Sequence, residues 1–169
     1  DQNSGNGYTW TKQGEDSYVL TLKNVHIKGT DPAPDSGESR RAFFIELSQK
    51  AEILVKTEGD RPSVLEGGIG FPETHPKFHM IFDGAAVTIN GMIAGGSDDE
   101  QVTVRKGSKV TVEVLAVGAS GNAASKIVVD GAGSELTIIE RGLLVDFLHV
   151  VGGGKLTVKG GALRVYSQI

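Results

Sequence analysis

Three observations in this 169-residue chain predict an all-β protein wound as a short right-handed parallel β-helix, a β-solenoid of about six coils. A glycine-led hexapeptide recurs along the chain. Glycine itself is abundant, at 24 residues about twice its usual share of roughly 7%. No segment carries a 3.6-residue apolar period of helical length.

The hexapeptide is Gly-x-x-(Val/Leu)-Thr-(Ile/Val). It occupies residues 84–89, 107–112, 133–138 and 153–158, with starts 23, 26 and 20 residues apart. Residues 17–22 (SYVLTL) read as a weaker copy and 51–55 (AEILV) as a degenerate one. In a β-solenoid, equivalent residues of successive coils stack about 4.8 Å apart. The triplets then form an inward apolar row, an outward threonine row and a second apolar row. Threonine suits such a stack because it is β-branched and its hydroxyls can bond to neighbours. Val87, Val110, Leu136 and Leu156 should therefore make one buried ladder.

A second short strand precedes each copy, at 78–82, 102–105, 127–129 and 147–151, and 42–47 stands in the same relation to the degenerate copy. Glycines between the paired strands supply the positive φ of a tight corner. Asp-Gly corners also suit a meander of hairpins, and a β-sandwich or jelly roll is the competing fold. A period near one three-sided coil and the constant register of the triplet favour stacking. Insertions at 28–41, 58–77, 92–101 and 116–126 each follow the same strand type. They are expected to emerge along one edge as a wall, where loops on a rigid scaffold carry function.

Residues 1–7 (DQNSGNG) read as a flexible tether and 8–169 as a single β-helix domain. A start at Asp1 without methionine fits a mature chain whose secretory or lipoprotein leader has been removed, which would place it outside the cell or on its surface, lipid-anchored in the second case. No apolar run approaches 18 residues, so no transmembrane segment is expected. The net charge is −4, with Lys and Arg dispersed. Nucleic acid is therefore not an expected partner. The absence of cysteine excludes disulfides and thiolate metal sites.

There is no Gly-x-Ser-x-Gly elbow, no His-Glu-x-x-His and no phosphate loop, so no catalytic residue is assigned. Sugar recognition pairs a flat aromatic ring with polar groups at its rim. Phe71 in the longest insertion is the candidate platform, with Arg40, Arg41, Arg61 and His75 as polar partners. Trp10, the only tryptophan, is expected to plug the N-terminal end of the core. Asp98, Asp99 and Glu100 adjoin on a glycine-flexed turn and offer hard oxygen ligands to a metal.

The opening Tyr8-Thr9-Trp10, the run at 20–27 (LTLKNVHI) and the later Gly-x-x-Leu-Thr-Val turns resemble the β-helix carbohydrate-binding-domain proteins of bacterial cell surfaces. The likeness spans most of residues 8–160. It implies a pectate-lyase-like shape, a polysaccharide or cell-surface glycan as partner, and calcium as the cofactor to look for. The expected role is non-catalytic glycan binding or adhesion. The alternatives are a degenerate calcium-dependent polysaccharide lyase and a structural spacer or assembly unit. The last coil ends on an open strand edge, which invites pairing unless covered. Either residues 162–169 fold back as a return strand, giving a self-capped monomer, or a second copy covers the edge in a homo-oligomer.

Overall fold

The Val-Thr-Ile triplets lie on parallel neighbouring strands, and the glycine that leads each triplet turns the chain into them. A computed structural model describes residues 2–5, 7–30, 40–71, 77–95, 99–118 and 124–166. The described residues form seventeen strands and no helix, so none holds a helix long and apolar enough to cross a membrane.

The strands make two sheets. The first runs, in spatial order, β1 (Gln2–Gly5), β2 (Tyr8–Lys12), β3 (Ser17–Lys23), β6 (Ala51–Glu58), β9 (Phe78–Asp83), β11 (Gln101–Arg105), β13 (Lys126–Asp130) and β15 (Phe147–Val151). The second runs β4 (His26–Lys28), β7 (Ser63–Glu66), β10 (Ala86–Ala94), β12 (Lys109–Ala116), β14 (Glu135–Val145) and β16 (Lys155–Val158). It is extended by β5 (Arg41–Phe44) on β8 (Gly68–Gly70), by β8 on β10, and by β17 (Ala162–Val165) on β14. Only β1–β2 and β2–β3 among the strand pairs are antiparallel. From β3 onward the chain alternates between the sheets, and each strand pairs in parallel with its counterpart one unit later. Two-residue hairpins join only antiparallel strands, so a hairpin meander is ruled out.

The four hexapeptide glycines, Gly84, Gly107, Gly133 and Gly153, have φ of 65°, 74°, 80° and 84°. A Cβ on Gly107 would meet nothing within 4 Å. Left-handed backbone, rather than lack of room, requires glycine there. Val87 pairs with Val110, Val110 with Leu136 and Leu136 with Leu156, as expected of the ladder. The first three are buried and Leu156, on the last strand, is half-buried. Leu20, Val55, Phe82, Val104 and Val129 form the facing row on the first sheet and belong to the same core.

Several expectations are corrected. Residues 17–22 and 51–55 are not copies of the triplet row. They lie in β3 and β6 of the first sheet, in register with 80–82. The true counterparts of Thr88 are Val64 and His26. An alternating apolar strand fits either sheet, so local sequence could not assign it. The segment 42–47 contributes to β5 in the second sheet instead of preceding β6 as its partner strand. The stretch 58–77 is not one loop, since it contains β7 and β8, and 92–94 belongs to β10. The segments following β8, β10 and β12 all return to the first sheet, whereas 29–40 joins β4 to β5 within the second. The single wall therefore divides into two sets. Residues 31–39, 72–76, 96–98 and 119–123 lie outside the described residues.

At the N-terminus, Gln2–Gly5 forms β1 against β2 where a tether was expected. At the other end β17 continues the stack in parallel with β14. Its side chains are exposed, so 162–165 extends the sheet and is not a strand folded back over it, while 167–169 lie outside the described residues. Five of the six exposed large hydrophobics among the described residues lie in this last unit: Val150, Val151, Leu163, Val165 and Tyr166.

Two outcomes test these interactions. Leu136→Ala should lower unfolding free energy by about 2–5 kcal/mol in urea titration, because it empties a fully packed site, and the outward Thr137→Ala should cost far less. The second outcome concerns Asp83, which accepts hydrogen bonds from Arg105 Nε at 2.7 Å and Lys106 Nζ at 3.1 Å. Desolvation pushes its pKa up, but these two cations outweigh it and hold the carboxyl below the usual range. Stability from a depressed carboxylate is present above its unfolded pKa and lost as pH falls through the folded one. Asp83→Asn should therefore destabilise at neutral pH, with the gap to wild type closing below about pH 4. A gap that persists to strong acid would show that the charge contributes nothing.

Candidate functional site

The β2–β3 hairpin places aromatic side chains over one end of the core. Gln13 N–H bonds to Ser17 O at 2.8 Å to close its turn. Tyr8 then stands opposite Leu22, and Trp10 opposite Leu20, on the core side of the sheet. Trp10 stacks on Tyr18 with ring centroids 5.1 Å apart, and Tyr8 meets Phe43 edge-on at 5.3 Å. Ile45 N–H bonds to Gly70 O at 2.9 Å, which fixes the chain just beyond β5. Between these elements lies an open cleft of about 230 Å³, lined by Tyr8, Trp10, Leu20, Phe43, Phe44, Ile45 and Glu46. Phe44 is 46% exposed, and the Arg41 guanidinium lies 4.9 Å from its ring centroid. Aromatic faces, a cation and the exposed Glu46 carboxylate thus meet on one surface.

A second cleft of about 200 Å³ lies on β10 and β12, lined by Arg40, Asn90, Gly91, Met92, Glu113, Val114 and Arg141. Burial, reinforced by Glu140, raises the pKa of Glu113, and Arg141 opposes the shift.

The residues singled out from sequence do not converge. Arg41 borders the aromatic cleft and Arg40 the second one. Arg61 sits in the turn between β6 and β7, where its N–H bonds to Asn24 Oδ1 at 3.1 Å. Phe71 is partly exposed, with one ring face covered. It lies flat on buried Phe78, with centroids 4.0 Å apart and planes 9° apart, and packs against the core. His75 lies outside the described residues. The cause is the division of 58–77 by two strands, which carries Arg61 and Phe71 to different turns.

The three adjoining acids also diverge. Asp98 lies outside the described residues. Asp99, at φ 72°, accepts a hydrogen bond from Lys50 Nζ at 2.8 Å and has Lys77 Nζ at 3.8 Å. The Lys50 bond, with both lysine charges, holds its carboxyl below the usual range. Glu100 points inward and is 2% exposed. Among the described residues no three His, Cys, Asp or Glu side chains are grouped to hold a metal ion. His26 bonds to Glu66, His79 to Thr103 Oγ1 at 2.9 Å, and His149 is exposed on β15.

Trp10 does cover the core end as expected, but it also lines the cleft. Phe43, Phe44 and Glu46 were not anticipated. The alternating Tyr8 and Trp10 and the Phe43-Phe44 pair are visible signals, but β2 and β5 do not pair, so nothing local announces their meeting. The chain matches no protein-family model, and neither a curated protein nor a solved structure matches it significantly.

Proposed function

We propose that this protein is a non-catalytic glycan-binding module of a bacterial surface or secreted protein, built as a right-handed parallel β-helix of about six coils. Support for the architecture is the parallel ladder through six first-sheet strands, β3, β6, β9, β11, β13 and β15, each followed by strands of the second sheet. One observation carries the function: the aromatic cleft over the first coil, with Trp10, Tyr8 and Phe44 for the apolar faces of pyranose rings and Arg41 and Glu46 for hydroxyls or carboxylates. Aromatic stacking of this kind contributes about 0.5–1.5 kcal/mol beyond area burial. Assembly through the C-terminal edge belongs to the same reading, supported by the exposed apolar side chains of the last unit.

Trp10 makes the cleft self-reporting, because it is the only tryptophan. Titration with neutral and uronate-containing oligosaccharides should shift or quench its fluorescence saturably. Phe44→Ala, at an exposed position, should weaken binding by about three- to tenfold with the fold intact. No spectral response to any glycan on an array of both classes would defeat the reading. For assembly, light scattering should give a mass that rises with concentration, abolished by Leu163→Lys with Val165→Lys. A wild-type monomer throughout would remove the edge as an interface.

A further inference from the structure

Polar side chains enter the core at two kinds of turn, and the fold treats them differently. Where the first sheet passes to the second, the buried serines are partnered. Ser108 Oγ accepts Ala85 N–H at 2.9 Å and lies 2.7 Å from Arg105 O. Ser134 Oγ accepts Gly107 N–H at 3.0 Å, and Ser63 Oγ accepts Val25 N–H at 3.3 Å.

Where the second sheet returns to the first, Glu100, Ser125 and Asp146 immediately precede β11, β13 and β15. The parallel ladder runs through them, with Lys126 N–H on Glu100 O at 2.9 Å and Phe147 N–H on Ser125 O at 3.0 Å. The three therefore share one column on successive strands, about 4.8 Å apart. Ser125 is 0% and Asp146 1% exposed. Among the described residues, neither Ser125 Oγ nor either Asp146 carboxylate oxygen has a hydrogen-bond partner. Both groups converge beside Gly118: Ser125 Oγ occupies the position its Cβ would take, and Asp146 Oδ2 lies 3.3 Å from that position.

A buried carboxylate with neither hydrogen bond nor counter-charge is strongly disfavoured. No ion pair among the described residues reaches Asp146, since Lys50 and Lys77 serve Asp99, Arg105 and Lys106 serve Asp83, and Lys109 serves Glu135. The column offers oxygen donors alone, the ligand set of hard cations. We propose that Asp146 and Ser125, with Glu100 next in the same column, form a site for one hard metal cation bound between the turns. The carboxylate supplies the charge and two ligand oxygens, the hydroxyl a neutral third. The site is separate from the aromatic cleft and does not depend on glycan binding.

The test uses chelator-stripped protein melted in calcium, magnesium or potassium chloride, against choline chloride at equal ionic strength. At least one metal should raise Tm by several degrees, saturably, because binding to the native state stabilises it, and calorimetric titration should give one site per chain. The isosteric Asp146→Asn should abolish the rise, and Ser125→Ala should shift its midpoint to higher metal concentration. The proposal is overturned if no metal exceeds choline, or if the rise persists unchanged in Asp146→Asn. It is equally overturned if stripped Asp146→Asn melts above stripped wild type while neither responds to metal, the result expected of a carboxylate whose partner is water. Should Asp146→Asn not fold, the Ser125→Ala comparison decides, and an unchanged midpoint there sinks the site.

Discussion

Hydrogen bonding between parallel strands in register is the interaction on which the rest of this structure depends. It places each side chain against the residue holding the same position one unit away, so chemistry must be compatible along whole rows. An apolar position has to stay apolar from strand to strand, as Val87, Val110 and Leu136 do. A charged position has to alternate or find a neighbour of opposite sign. Lys109, Glu135 and Lys155 follow one another in register with alternating sign, and Lys109 Nζ reaches Glu135 Oε1 at 2.7 Å. Arg105 stands opposite Asp83 and bonds to it. The same rule makes the column of Glu100, Ser125 and Asp146 conspicuous, because there two acids share a buried row with only a hydroxyl between them.

A stack of this kind has two ends that its repeating rows cannot finish, and the chain treats them unequally. The antiparallel β2–β3 hairpin breaks the parallel pattern at the first end and lays Tyr8 and Trp10 across it. Nothing comparable covers β15, β16 and β17 within the described residues, and the same rows that are buried at Val129 and Leu143 end exposed at Val150 and Leu163. The end that departs from the repeat is where an open aromatic cleft forms.

Legibility followed the same division. The hexapeptide is a statement about stacked rows, so the ladder through Val87, Val110, Leu136 and Leu156 and the left-handed glycines could be read directly. The earlier units could not. Their second-sheet strands are the divergent Val25-His26-Ile27 and Ser63-Val64-Leu65, and the better match to the triplet, Leu20-Thr21-Leu22, belongs to the other sheet. Strand alternation reports which residues face inward but not which sheet they join. The cleft was less legible still, since it depends on β2 and β5 meeting without pairing. Phe71 read as an exposed platform because it falls in the longest insertion, yet one face of its ring lies on Phe78.

Each strand of the parallel sheets pairs only with the strands beside it, so its register does not depend on how many further strands the sheets contain. Gain or loss of a whole unit, about 20–26 residues here, leaves every remaining register intact and merely adds strands to the two sheets or removes them. A single-residue insertion inside a strand is different in kind, since it would turn an entire inward row outward. Length variation compatible with this architecture is therefore quantised in whole units or confined to the turns between strands. Such sheets can gain or lose strands without a redesign of the rows that remain.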